Sequence, residues 1–274
     1  MNIDGAVTVV TGASRGIGKV IATDLAARGA KVAVTARSEA DLKSVADSIG
    51  AFAVPADISS DEDRMRVVRS VEAELGPIDI LVNNAGIESI RAFAEMPEGD
   101  IRDIVDVNLV STMLLARLVL PGMLEHHRGH VVNIASVAGK AIAPWNSVYS
   151  GTKHALVGWT LSMRVELEGS GVSCSVVCPA FVAREGLFSR WGDERMARRS
   201  GAFTTPEKVA ADVARAIERD LPEVVSSTIL GKVSDVALAV SPRLVYTMGK
   251  RNPALKLFKD ESDRRKAEGR SRTE

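Results

Sequence analysis

Ala6-Val7-Thr8-Val9-Val10-Thr11-Gly12-Ala13-Ser14-Arg15-Gly16-Ile17-Gly18 is the stretch whose reading decides the fold. Ala6–Val10 is apolar and β-branched and reads as a strand. Ile17–Arg28 follows with the spacing of an amphipathic helix. Strand, glycine turn and helix in direct succession is the context in which a dinucleotide phosphate is cradled. Gly12 permits the tight turn, while Gly16 and Gly18 let backbone approach a pyrophosphate and let the helix pack on the sheet. The helix start offers unsatisfied N–H groups and a positive dipole end to the phosphates. Three glycines would also serve an ordinary strand–helix turn; the context favours cofactor binding.

Outward from this unit the pattern repeats. Strands are expected at Lys31–Ala36, Phe52–Pro55, Ile78–Val82, His130–Ile134, Val172–Cys178 and Glu223–Ile229, seven with the first. Between them lie helical patterns ending near Ile49, then at Asp61–Leu75, Asp100–Leu120, the run His154–Glu168 that continues Tyr149–Lys153, and Pro206–Arg219. Thr205 before Pro206 reads as an N-cap and N1 pair. The long pattern is expected to stop at Pro121-Gly122. Alternating strands and helices argue for a parallel sheet, and near-continuous apolar strands argue that both faces are covered. The expected fold is α/β: a doubly wound, mostly parallel seven-stranded sheet in one domain over residues 1–230, with 231–274 as an extension. Gly12–Gly18, Arg37, Asp57, Asn83–Gly86, Ser136 and Pro179 all fall just past strand ends, where ligands lie in such sheets.

The chain has 274 residues, 46% apolar and 26% charged, so it can bury a sizeable core. Thirty-five basic residues balance 35 acidic ones, leaving no electrostatic footprint for nucleic acid. No signal peptide and no uninterrupted apolar run of about 18 residues is seen, so no membrane span is expected. Cys174 and Cys178 sit in one expected strand, about 13 Å apart, too far for a disulfide. They are expected as buried thiols in a reducing, cytoplasmic compartment. His126, His127 and His130 cluster, but no Cys or carboxylate set accompanies them; solvated loop histidines are the expected reading and no metal is assigned.

A second stretch, Ser136 to Lys153, bears on chemistry. Tyr149 and Lys153 are one helical turn apart and share a face. An ammonium beside a phenol stabilises the phenolate and suits the tyrosine to acid–base work on a carbonyl or alcohol. Ser136, past the fifth strand, can polarise the same oxygen. Taken alone, the pair also reads as a half-buried tyrosine and a solvated lysine on a surface helix.

Together, Thr11-Gly12-x-x-x-Gly16-x-Gly18, Asn83-Asn84-Ala85-Gly86, Asn108, and Ser136 with Tyr149-x-x-x-Lys153 resemble the short-chain dehydrogenase/reductases over about residues 5–230. The resemblance implies that Tyr149 is the general acid/base and that Lys153 lowers its pKa and bonds the nicotinamide ribose. Ser136 would orient the substrate and Asn108 hold a relay water. Gly12, Ser14, Arg15, Gly16, Ile17, Gly18, Asp57, Ile58, Asn84, Ala85, Gly86, Pro179 and Val182 would line the cofactor. One motif departs: Ala180 stands where the family usually has glycine after Pro179, and Arg184 where it has threonine. An NAD enzyme of this topology places an acid at the end of the second strand; here Arg37 and Ser38 stand there, with Arg15 in the turn. Arginine pairs with a 2′-phosphate, so NADP(H) is the expected cofactor.

The expected activity is a carbonyl/alcohol oxidoreductase on a lipophilic small molecule: the loop Val137–Asn146 carries Ile142, Pro144 and Trp145, and the segment Glu185–Phe203 carries Leu187, Phe188, Trp191, Met196 and Phe203, residues that either cover a site or pack on their own scaffold. The alternative is a dinucleotide-binding sensor without catalysis. Relatives of this kind imply a homodimer or homotetramer. Val233–Met248 reads as a helix broken at Pro242, and the basic-rich Lys250–Glu274 as an arm or tail, with weak membrane-surface contact as a further possibility.

Overall fold

Alternate residues of the strands serve opposite layers. Val10, Val32, Val34, Ile80, Val82 and Val132 join one buried cluster, while Val7, Val9, Ala33, Leu81 and Val131 join another. That period of two, apolar on both faces, is what a central parallel sheet needs. The computed structural model describes residues 1–183, 203–227 and 254–268. Its main sheet runs β1 (Val7–Thr11), β2 (Lys31–Ala36), β3 (Phe52–Pro55), β4 (Ile80–Asn83), β5 (Gly129–Ile134), β6 (Val172–Pro179) and β9 (Glu223–Ser226). Their order is β3-β2-β1-β4-β5-β6-β9, with every pairing parallel. This is the expected seven-stranded, doubly wound α/β fold. β4 starts two residues later than expected, because the Asp79 carboxylate takes the Val7 N–H at 2.9 Å and the Arg128 guanidinium at 2.8 Å.

One layer holds α1 (Gly16–Ala27), α2 (Glu39–Ile49) and α7 (Pro206–Glu218), through Ile21, Leu25, Leu42, Val209, Val213 and Ile217. The other holds α3 (Asp61–Leu75), α5 (Ser111–Glu125) and α6 (Ser147–Glu166), through Val67, Val71, Leu115, Val119, Met123 and Met163. Sequence signals set the ends. Ser60 caps α3 by accepting from Asp63 N, and Thr205 caps α7 by accepting from Lys208 N with Pro206 next. Gly50 closes α2 in the left-handed conformation.

The long helical pattern does not stop at Pro121. α4 (Glu98–Val105), a π-turn at Asp106–Val110 and α5 form one run through Pro121 to Glu125. Proline removes a single ladder bond. What continues the helix is Met123, 1% exposed, packed so closely on Gly129 that a Cβ there would lie 2.5 Å from its side chain. Glu98–Glu125 is long and apolar enough to cross a membrane by length and composition alone. It is built instead into the domain, with Leu115, Ala116, Val119 and Met123 buried against α3 and the sheet.

The strand order reverses between β1 and β4, so the crevice at their carboxyl ends is the switch point. Beyond β6, a short parallel pair β7 (Phe181–Val182) and β8 (Phe203–Thr204) was not anticipated. Part of the C-terminal extension is α8 (Ala254–Glu268), whose Leu257 packs with Ala183 and Phe203. Its Phe258 ring lies 6.0 Å from that of Phe181, and Lys266 pairs with Glu95. Arg184, Leu187, Phe188, Trp191 and Met196, the segment Val233–Met248 with Pro242, and the junction at residue 230 lie outside the described residues.

Candidate active site

The glycine turn is shaped by close backbone contact. Gly12 and Gly16 have φ of +65° and +62°, conformations that disfavour a side chain. A Cβ on Gly18 would sit 2.3 Å from the Gly12 carbonyl and 2.4 Å from Asn84 Nδ2. Asn84 staples this turn to β4: its amide donates to the Thr11 and Gly12 carbonyls at 2.9 and 3.3 Å. Thr11, part of the turn motif but without an expected role, accepts from the Asn84 and Ala85 N–H groups at 2.9 and 3.0 Å. α1 opens on Arg15, whose side chain makes no cap bond, so the first N–H groups of the helix look into the turn. Ser14 is partly exposed and Arg15 exposed at the rim, while Ile17 packs partly on the core. A cradle with two left-handed glycines, no room for a Cβ and an uncapped helix start fits a dinucleotide phosphate.

The second expected contact lies next to it. Ala13 N–H reaches the Thr35 carbonyl at 3.3 Å, so the turn and the end of β2 lie side by side. Arg37 is exposed, and among the described residues neither it nor Arg15 has an ion-pair partner. Ser38 is less available than expected, because its hydroxyl donates to Asp41 at 2.7 Å at the start of α2. Asp57 accepts from the Ser59 N–H and hydroxyl through one oxygen, which fixes the loop after β3. The Ile58 side chain is buried.

Ser136, Tyr149, Lys153 and Asn108 come together at the same sheet edge. Ser136 ends the β5 loop, accepting from Ala138 N at 3.1 Å, and its hydroxyl lies close enough to Tyr149 to favour the phenolate. Lys153 Nζ lies 5.5 Å from the Tyr149 ring centroid and donates to the Ile134 carbonyl at 2.8 Å. A Cβ on Gly86 would sit 3.2 Å from Asn108 Oδ1 and 3.7 Å from Lys153 Nζ, so only glycine lets the three elements meet with ease. Asn108, buried in the π-turn, clamps Ile87: Oδ1 accepts its N–H at 2.8 Å and Nδ2 donates to its carbonyl at 2.9 Å. A π-turn at such a place is a common mark of a functional site.

Lys153 is 4% exposed, so the solvated-lysine reading of the pair falls. Burial pulls its pKa down to about 8, against the raising effect of Cys178 and Glu88. Burial lifts the Tyr149 phenol above its ordinary range, the Glu88 charge adds to that, and the Ser136 hydroxyl opposes it. Desolvation thus outweighs the lowering expected from the ammonium alone.

Glu88 escaped the sequence reading. It is 5% exposed, follows Asn83–Gly86 by two residues, and accepts from Asn146 Nδ2 at 2.8 Å. Asn146 precedes α6, which carries Tyr149 and Lys153. A buried polar ladder, Asn83 to Asn133 to Thr160, ties β4, β5 and α6 together at 2.9 Å per step.

Pro179, expected just past the strand, is instead the last residue of β6, buried and paired with Ser226. Ala183 N bonds the Thr204 carbonyl, which turns the Val182 N–H away from β8 and toward the other edge of its strand. The histidines do not share a face. His126 and His127 bond the carbonyls of Gly122 and Ser170. His130 is not a solvated loop residue: it is the second residue of β5, 1% exposed, with Nε2 on the Ser175 hydroxyl at 2.8 Å. Burial holds its pKa down at about 4, so it is neutral. Cys174 and Cys178 are buried thiols.

Comparison with known proteins gives four findings. A family model described as short chain dehydrogenase matches residues 6–194. Ketoacyl reductase HetN of a Nostoc species is 39% identical over 246 residues, 87% of this chain and 85% of that protein. The 3-oxoacyl-[acyl-carrier-protein] reductase FabG of Vibrio cholerae is 36% identical over 220 residues, 78% of this chain and 90% of its own. The crystal structure of a 3-ketoacyl-(acyl-carrier-protein) reductase from Brucella melitensis complexed with NADH superposes with a TM-score of 0.78 at 27% identity, covering 82% of this chain and 98% of that one.

Proposed function

Because this chain belongs to the short chain dehydrogenase family, we propose that it reduces the 3-keto group of an acyl thioester with NADPH. The observation that carries the reading is the meeting of Tyr149, Lys153 and Ser136 beside the glycine crevice. Ser136, beside Tyr149, orients the carbonyl oxygen. Tyr149 gives that oxygen its proton. The nicotinamide cofactor, when bound, supplies the hydride for the carbonyl carbon, so the carbonyl becomes an alcohol. Lys153, with one Nζ proton spent on Ile134, has two left for a ribose hydroxyl and for holding positive charge near the phenol. Asn108 fixes Ile87, and Gly86 leaves the room in which these groups meet. The crevice would hold the cofactor through Gly12, Ser14, Arg15, Gly16, Ile17, Gly18, Asn84 and Ala85, with Asp57 and Ile58 at the adenine end, Arg37 at the 2′-phosphate, and Pro179 and Val182 at the carboxamide.

A lipophilic substrate is supported by Ile142, exposed in the loop between Ser136 and α6, whereas Phe203, Leu257 and Phe258 are buried on one another beside β7. The names of the similar proteins support a 3-oxoacyl thioester within that class. A cytoplasmic homo-oligomer completes the reading, supported by the buried thiols and by the apolar Val110 and Val165 exposed on the helices of one layer. The test follows NADPH oxidation with acetoacetyl-CoA beside steroid, retinoid and sugar carbonyls. Turnover is expected with the thioester; turnover confined to another class would replace the substrate, and none with any would remove the enzyme reading.

A further inference from the structure

The family motifs account for Tyr149, Lys153, Ser136 and Asn108, but not for the carboxylate buried among them. Glu88 is placed from two sides. Asn108 grips both backbone groups of Ile87, the residue before it. Asn146 donates its amide to Glu88 Oε2 at 2.8 Å, three residues ahead of Tyr149. That bond has a structural cost: Asn146, in the cap position of α6, makes no cap bond, and its Oδ1 is buried without a partner. A strong N-cap residue has been taken from its helix and turned to a carboxylate.

We propose that Glu88 is a positioning residue for the Tyr149/Lys153 pair, hung on Asn146 at the head of α6, and that its charge keeps the proton on that pair and poises the site for reduction. This rests on the reductase reading above. Among the described residues, the charged or titratable groups acting on the pair from other elements are Glu88 from the loop after β4 and Cys178 from β6. On α6 itself, His154 is turned to the Ser150 carbonyl at 2.9 Å. Burial alone pushes Tyr149 and Lys153 in opposite directions, whereas Glu88 raises both. An anion beside a phenol and an ammonium favours the protonated form of each. A protonated phenol is the form that gives a proton to a carbonyl; oxidation of an alcohol needs the other form.

The experiment compares the full-length wild type with Glu88→Gln, which keeps the shape and removes the charge, and Asn146→Ala, which keeps the charge and cuts the anchor. NADPH affinity, the pH profile of kcat/KM with acetoacetyl-CoA and the tyrosinate absorbance are measured. The chain has two tyrosines, so Tyr149→Phe assigns the share of Tyr149. Glu88→Gln is expected to bind NADPH as wild type does. Its alkaline loss of kcat/KM should move down by about half a pH unit or more. Its Tyr149 should ionise at lower pH. Asn146→Ala is expected to lose kcat while NADPH affinity holds. An unmoved tyrosinate titration in Glu88→Gln overturns the charge effect, and an unchanged kcat in Asn146→Ala overturns the anchor. The titration needs no turnover, so an inactive wild type would sink the reductase reading while the titration still decides this one.

Discussion

The crevice between β1 and β4 and the head of α6 lie on the same edge of the sheet, but they are held by different forces. The crevice is a backbone object. Two glycines at positive φ, a third with no room for a Cβ, and an asparagine bonded to two carbonyls give it its shape. The head of α6 is an electrostatic object. Tyr149, Lys153 and Glu88 are buried or partly buried polar groups whose behaviour depends on one another. A backbone site tolerates loss of a charge and fails on an added methyl; an electrostatic site does the reverse.

The widest separation between the two comes from Tyr149→Phe. It removes one hydroxyl and touches nothing in the crevice. Turnover should fall by about 10²–10⁴-fold, the range for a positioned acid, while the cofactor dissociation constant stays as in wild type. Single-turnover kinetics with independently measured cofactor binding checks both halves. Near-normal turnover would take the proton-donor role from Tyr149.

His130 sharpens the contrast from the far end of β5, where a buried titratable group has nothing to do with the cofactor. Its folded pKa is lowered from 6.5 to about 4. The unfolded chain therefore takes up the proton first. Stability is full above pH 6.5 and is lost as pH falls toward 4, by roughly 3 kcal/mol for a shift of this size. Denaturant unfolding across that window should show the loss, and His130→Gln should flatten it. An acid limb as steep in the variant would assign the effect to other groups.

Gly18→Ala is the converse of Tyr149→Phe. The new Cβ meets a backbone carbonyl at 2.3 Å, and backbone yields less readily than a side-chain end. Overpacking of this kind costs about 1–3 kcal/mol. Cofactor affinity should fall while the Tyr149 tyrosinate titration stays where it is. A titration that moves with it would mean that the two regions are one unit.

The difference between the regions also decides what could be read from the chain. Glycines and asparagines at fixed offsets after an apolar run declare a backbone shape, so Gly12–Gly18 and Asn83–Gly86 were legible, as were the β-branched strands. The helix beyond Pro121 was not, because Met123 on Gly129 is a packing fact between two elements. His130 stood at the start of an expected strand, and its cluster with His126 and His127 suggested solvation; its partner, the Ser175 hydroxyl, lies across the strand pair, 45 residues on. Glu88 had no local signal at all. Its partner Asn146 is 58 residues away in the chain, and no periodicity reports a charge that is buried by tertiary contact.

The smallest expected effect is the choice between cofactors, because it rests on exposed groups. Arg15 and Arg37 rim the crevice, where no carboxylate ends β2. A carboxylate there would accept both ribose hydroxyls and repel a 2′-phosphate. An arginine pairs with that phosphate instead. Two groups work against it: Glu39 and Asp41 stand in the first turn of α2, and Asp41 already holds the Ser38 hydroxyl. Solvent screens all of these charges, so the net preference is modest. Arg37→Asp should weaken NADPH binding by at least about tenfold, the loss of one charge-assisted pair in water, and hold or tighten NADH binding, since the new carboxylate can accept the ribose hydroxyls. Isothermal titration of both cofactors against wild type and variant measures the ratio. If wild type binds NADH more tightly than NADPH, Glu39 and Asp41 rather than the arginines govern the ribose end of the crevice.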